Sequence, residues 1–134
     1  MKEVTVEYRV TYADTDMMGV VYHANYLVFF ERARNEFMRQ LGYPYTECEK
    51  AGVMMPIIHV ELNYKRPAKY DDLIEITARV AARKGVKLKL DYVVRRKGES
   101  EDLVTGSTTL AYVSSQTFRP CYPPPAMAEA LKDC

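Results

Sequence analysis

Little charge of either sign is left uncancelled in this chain: 19 Lys and Arg against 18 Asp and Glu leave a formal net charge of +1. A nonspecific phosphate binder shows a clear basic excess or stripe, so nucleic acid is not among the expected partners. No run approaches the roughly 18 consecutive apolar residues of a membrane-spanning helix. Cysteines are few and scattered: Cys48, Cys121 and Cys134 offer no CxxC pair and no zinc spacing. They read as free thiols of a protein in a reducing cytoplasm. None sits in a loop with a nearby His and acid, as a nucleophilic Cys would. Neither a repeat nor a linker interrupts the 134 residues, which are expected to form one domain, 1–134, around a single core. The opening residues MKEVTVEYRV alternate polar and apolar from the third onward, which reads as a strand and not as a secretory signal.

What is present is periodicity. From Glu3 to Tyr12, Val4, Val6, Tyr8, Val10 and Tyr12 alternate with polar residues, the pattern of a half-buried strand. Tyr26, Phe30, Ala33, Phe37 and Leu41 then recur every three or four residues, making one apolar stripe of a helix that runs to Leu41 and stops at Gly42. Thr46 followed by Glu49 resembles a capping box and predicts a short helical turn over 46–51. Strand alternation returns at Ile58, Val60, Leu62 and Tyr64, and again from Ile74 to Ala82, from Val86 to Val94, and over Leu103 to Ser114. Lys84-Gly85 and Lys97-Gly98-Glu99 mark the turns of an antiparallel meander. A short terminal helix is expected from Ala126, after Pro123, Pro124 and Pro125. Strand, long helix and four more strands predict an α+β fold, with one sheet curled about one helix. Such a sheet leaves edges uncovered, which predicts two-fold self-association.

One connection carries more chemistry than a chain reversal needs. YADTDMMGVVYHANY, Tyr12 to Tyr26, crowds two aspartates, a glycine and one of the two histidines between strand and helix. Ordinary turn-making explains part of it: Asp14 and Thr15 bonding nearby N–H groups, Gly19 taking a special backbone angle, Asn25 capping the helix. Asp16, His23 and Tyr12 are left over. Asp16 leads into a helix whose first N–H groups have no intrahelical acceptor, and those donors can stabilise an oxyanion. A carboxylate facing such donors is the minimum for hydrolysing an activated acyl group.

The stretch YADTDMMGVVYHANYLVFFERAR closely resembles the motif of hot-dog-fold acyl-CoA thioesterases of the 4-hydroxybenzoyl-CoA thioesterase type, in particular their bacterial branch often associated with the Tol–Pal system. YKRPAKYDDLIEI resembles the next recognisable stretch of that family, and the element order fits along nearly the whole chain. The resemblance implies a hot-dog fold, one long helix wrapped by a five-stranded antiparallel sheet, that hydrolyses acyl-CoA without metal or cofactor. It places the catalytic carboxylate, nucleophile or general base, on Asp16 and the backbone donor on His23. The side chains of His23 and Tyr12 fall on assisting positions. Tyr22, Tyr26 and Arg66 are candidate substrate contacts, Arg66 with Lys65 and Lys69 as a basic group for the phosphates of coenzyme A. Glu31 reads as an ordinary surface pair with Arg34, and His59 as a structural residue of a strand. A hot-dog hydratase or dehydratase, and a noncatalytic acyl-CoA-binding assembly partner, are the alternatives. The acyl group, and a homodimer against a homotetramer, are left open.

Overall fold

A computed structural model describes residues 2–134. The elements in chain order are β1 (Glu3–Arg9), α1 (Asn25–Gln40), α2 (Tyr45–Lys50), β2 (Val53–Met54), β3 (Ile57–Tyr64), β4 (Leu73–Lys84), β5 (Lys87–Arg96), β6 (Asp102–Ala111), β7 (Val113–Ser114) and α3 (Pro125–Leu131), with a single 3-10 turn at Tyr12–Asp14. Five strands form one sheet in the order β1-β4-β5-β6-β3, every pairing antiparallel. The long helix lies against that sheet, so the α+β hot-dog architecture is the one the periodicities and the motif predict. Among the described residues no helix is long and apolar enough to cross a membrane.

The helix stripe is the centre of the core. Tyr26, Phe29, Phe30, Ala33, Phe37 and Met38 are all buried, against Ile74, Ile76 and Ala78 of β4 and Leu90, Tyr92 and Val94 of β5. Each large apolar side chain so buried contributes about 1.5–3 kcal/mol. The contact is tightest where Phe30 stacks on Tyr92, centroids 4.2 Å apart and rings 4° from parallel. Gly106 on β6 makes room for it: a Cβ there would stand 2.9 Å from a Phe30 ring carbon and would also press on the Glu61 carbonyl.

Several local expectations change. β1 ends at Arg9, and Tyr12, expected on its apolar face, is exposed because the chain has already turned into the 3-10 turn. Thr46 makes no capping box: α2 starts one residue earlier, at Tyr45 behind Pro44, with no side-chain cap. Asn25 is the first residue of α1 and not its cap. The alternation through Ala82 breaks at a register shift between Val80 and Ala82, and Ala82 lies exposed. The last strand divides at Tyr112, and its end, β7, pairs with β2, a strand that the sequence reading leaves out. Arg34 is no surface partner of Glu31. It is buried, its Nε donating to the Tyr45 hydroxyl at 2.9 Å and its Nη1 to the Tyr92 hydroxyl at 3.1 Å. Finally, β3 bonds to β6 alone and forms the sheet's edge, with Ile57, Ile58 and Val60 exposed.

Candidate active site

The connection from β1 to α1 is fastened at several points, each by groups its own sequence supplies. Asp14 closes the 3-10 turn. Its Oδ2 accepts from the Thr11 amide at 2.8 Å, the Thr11 hydroxyl at 2.9 Å and the Tyr8 hydroxyl at 2.7 Å. Burial alone would favour the protonated acid, but these bonds and the charge of Arg32 outweigh it, so the Asp14 carboxyl titrates below the usual carboxylate range. Burial and that same bond raise the Tyr8 hydroxyl above its ordinary pKa. The Asp14 carbonyl accepts from the Tyr22 amide at 2.8 Å and from Asn25 Nδ2 at 2.9 Å, which draws the end of the loop back onto its beginning. The Oδ2, amide and carbonyl of Asp14 are thereby used in shaping the loop.

Asp16 is placed differently. The chain doubles back between Asp16 and Val20: the Gly19 amide donates to the Asp16 carbonyl at 3.0 Å, and the Asp16 amide to the Val20 carbonyl at 2.9 Å. Gly19 takes φ +80°, a left-handed conformation that suits glycine. The Asp16 side chain is half-buried. Its Oδ1 accepts the Met18 amide at 2.9 Å, while Oδ2 makes no hydrogen bond to a described residue. One oxygen is fixed and the other is free for chemistry.

The segment after β3 braces the far side. The Val21 amide donates to the Ala68 carbonyl at 2.8 Å, and Val20 bridges to Lys69. The Ala68 amide donates to the buried Tyr26 hydroxyl at 3.2 Å. Tyr64, the last residue of β3, donates its hydroxyl to the His23 carbonyl at 2.9 Å. At the start of α1 the Asn25 amide is taken by the Tyr22 carbonyl and the Leu27 amide by the Ala24 carbonyl. The His23 and Ala24 amides donate to no described residue and carry the positive end of the helix dipole.

These groups meet around a depression of about 240 Å³, lined among others by Asp16, His23, Tyr26, Tyr64 and Arg66. Four of the six residues expected from the sequence therefore share one hollow. Tyr22 is partly exposed beside it, its ring 4.4 Å from that of His23. Tyr12 is not brought in: its ring stacks on Tyr70 at 3.8 Å, its hydroxyl making no bond to Asp16. Arg66 is at the rim, paired to Glu101 at 2.5 Å, and Lys65 approaches Asp102 at 3.9 Å. Glu31 lies elsewhere, on the wall of a second cavity. His59 is exposed on the edge strand, 3.3 Å from Glu61. Tyr64 is the site residue that sequence reasoning passed over. Its position as the last aromatic of a strand running into Lys65-Arg66-Pro67 was the available signal.

A half-buried carboxylate and the start of a helix that share one small hollow can act on a carbonyl held between them. Comparisons with known proteins point the same way. The description of the thioesterase-like superfamily matches residues 10–131. YneP of Bacillus subtilis, an acyl-CoA thioesterase by provisional designation, is 32% identical over 114 residues, 85% of this chain and 82% of that protein. The acyl-CoA thioesterase YbgC of Haemophilus influenzae is 39% identical over 89 residues, 66% of this chain and 65% of that one. A DHNA-CoA thioesterase structure from Staphylococcus aureus superposes with a TM-score of 0.93 at 31% identity, covering 99% of this chain and 91% of that one.

Proposed function

The chain belongs to the thioesterase-like superfamily, and on that basis we propose that it hydrolyses acyl-CoA, R–CO–S–CoA plus water giving a carboxylic acid and free CoA. The acyl-CoA thioesterase designations of its relatives support the reaction. The motif of Tyr12 to Arg34 supports the finer placement in the 4-hydroxybenzoyl-CoA thioesterase type and its Tol–Pal-associated branch.

The observation that carries the site assignment is the meeting of Asp16 Oδ2, free of protein hydrogen bonds, with the start of α1 at one hollow. A thioester carbonyl is already electrophilic, since sulfur donates little resonance to it. Its oxygen lies toward the amide at His23, where the developing negative charge meets an N–H donor and the helix dipole. Asp16 Oδ2 acts on the carbonyl carbon from the other side, by direct attack or by taking a proton from the attacking water. The tetrahedral intermediate then expels CoA thiolate; where water attacked, this gives the acid, and where Asp16 attacked, it leaves an acyl anhydride on Asp16 that water hydrolyses to the acid and the free carboxylate. The imidazole of His23, at the mouth of the hollow, protonates the leaving sulfur or relays its proton. Tyr26 and Tyr64 wall the acyl side, and Arg66 and Lys65 face the CoA phosphates. Tyr12 lies outside the hollow and takes no part in it, its carbonyl accepting the Thr15 amide at 3.1 Å and hydroxyl at 2.8 Å.

The exposed apolar edge of β3 supports pairing of two copies through that strand as a homodimer, or within a homotetramer. A monomer in sedimentation at micromolar concentration would remove that part of the reading.

The deciding experiment is thiol release from a panel of acyl-CoAs by wild type and Asp16→Asn. Asp16→Asn is expected to lose about 10²–10³ in turnover, the scale of losing one well-placed electrostatic group, with an unchanged circular dichroism spectrum. Near-normal turnover in that variant would remove Asp16 from the mechanism.

A further inference from the structure

The turn at 67–72, between β3 and β4, grips the Asp16 loop at both ends. Where the chain leaves β1, the Val10 amide donates to the Asp72 carbonyl at 2.9 Å and the Asp71 amide to the Val10 carbonyl at 3.0 Å. Arg9 Nη1 adds a bond to the Asp71 carbonyl at 2.8 Å. Where the loop returns, the Val21 amide is held by the Ala68 carbonyl and Val20 bridges to Lys69. Asp16 hangs from that returning arm: its amide is on the Val20 carbonyl at 2.9 Å, and Thr15 beside it bridges to Val21. The shape of the turn therefore sets where the Asp16 carboxyl stands.

That shape is fixed from a third strand. Arg96, the last residue of β5, donates from Nε to Asp72 Oδ2 at 2.9 Å and from Nη2 to the Pro67 carbonyl at 2.8 Å. One planar guanidinium thus spans the turn from its first residue to its last. The same Asp72 oxygen accepts the Lys69 amide at 2.8 Å and fixes the middle. Asp71 takes φ +69° inside this frame, a left-handed conformation that persists where the surroundings enforce it. Bonds from a charged donor are stronger than neutral ones, and these side chains are only 26% and 22% exposed. Lys65 and Arg66, at the rim of the hollow, are 53% and 62% exposed. Arg96 does not line the hollow.

We infer that Arg96 is a positioning residue for the hydrolysis: with Asp72 it closes the turn at 67–72, and through Val20 and Val21 it holds Asp16 at its working place opposite the start of α1. The inference rests on the thioesterase reading. It separates Arg96 from Lys65 and Arg66, since a guanidinium spent on the turn serves geometry and not the CoA phosphates.

The test measures kcat and KM for an acyl-CoA and for the matching acyl-pantetheine, which lacks the nucleotide and its phosphates. Wild type, Arg96→Met, Asp72→Asn and the combined variant are compared, with Tm on the same preparations. Arg96→Met should lower kcat by about ten- to a hundredfold for both thioesters alike, with KM within about threefold, the scale of an ångström misplacement caused from a distance. Asp72→Asn should lower kcat in the same pattern. The combined variant should lose no more than the worse single, because both substitutions open one fork. Should Arg96→Met not fold, Arg96→Lys takes its place, keeping the charge without the fork. A loss confined to KM for the CoA ester would make Arg96 a phosphate contact and overturn the inference. A lowered Tm with kcat untouched would make it a structural brace alone, and additive losses would deny the shared fork; either overturns it. A wild-type protein that releases thiol from no acyl-CoA overturns the thioesterase reading, and this inference with it.

Discussion

Replacing Tyr64 by Phe removes one oxygen from the proposed site and leaves the ring in place, still edge-on to Tyr26 with centroids 5.8 Å apart. The lost bond is the 2.9 Å one to the His23 carbonyl. Because a peptide unit is planar, holding that carbonyl also holds the neighbouring Ala24 N–H, at the turn from which α1 starts. A neutral hydrogen bond contributes about 0.5–1.5 kcal/mol net, and Tyr64 is 49% exposed, so water replaces part of the loss. An upper figure of about 1 kcal/mol corresponds to roughly a fivefold change in rate. Tyr64→Phe should therefore lower kcat by up to about fivefold with little change in KM, and lower Tm by at most a few degrees. Steady-state thiol release and a thermal melt on the same preparation measure both. A reduced Tm with kcat untouched would show that the His23 peptide does not need this anchor. A loss near that of Asp16→Asn would show that the hydroxyl meets the reacting atoms.

Three further outcomes follow from packing and titration. The Asp14 carboxyl titrates below the normal range in the folded protein, so its stabilising effect is complete above the unfolded carboxyl pKa and is lost as pH falls through the folded one. Tyr8→Phe deletes one of its donors and should move acid unfolding, followed by circular dichroism, to higher pH; an unmoved midpoint denies the link. Gly106→Ala should cost about 1–3 kcal/mol in urea unfolding, the usual toll of overpacking, because Phe30 and the Glu61 carbonyl leave no room for a methyl group; wild-type stability would contradict that geometry. Burial pushes the Cys48 thiol up to about 11, so a disulfide reagent at pH 8 should titrate Cys121 and Cys134 in the native protein and reach Cys48 only after unfolding. Three fast equivalents would refute it.

The features legible in the sequence are those written in local spacing. The stripe of α1 and the turns at Gly85 and Gly98 are patterns within one or two turns of chain. Asp16 and His23 stood out because turn-making did not use them. What escaped was set by distant partners. Glu31 and Arg34 have the spacing of a surface pair, yet Tyr45 and Tyr92, 11 and 58 residues further on, draw the guanidinium inward. Alternation in β3 gave two faces but not the strand's place at the sheet edge, since that depends on which strand β6 pairs with on its other side. Tyr12 fits the period of β1, but the bonds to Asp14 and those between Thr15 and the Tyr12 carbonyl turn the chain aside there. Tyr64 gained its position from a carbonyl 41 residues away.

The loop that carries Asp16 is tied to its own start through the Asp14 carbonyl, to the chain beyond β3 through Ala68 and to the edge strand through Tyr64. A segment so restrained has no disordered form to leave when a ligand arrives. Its conformational entropy is spent once, during folding, and each encounter costs only the immobilisation of the incoming molecule.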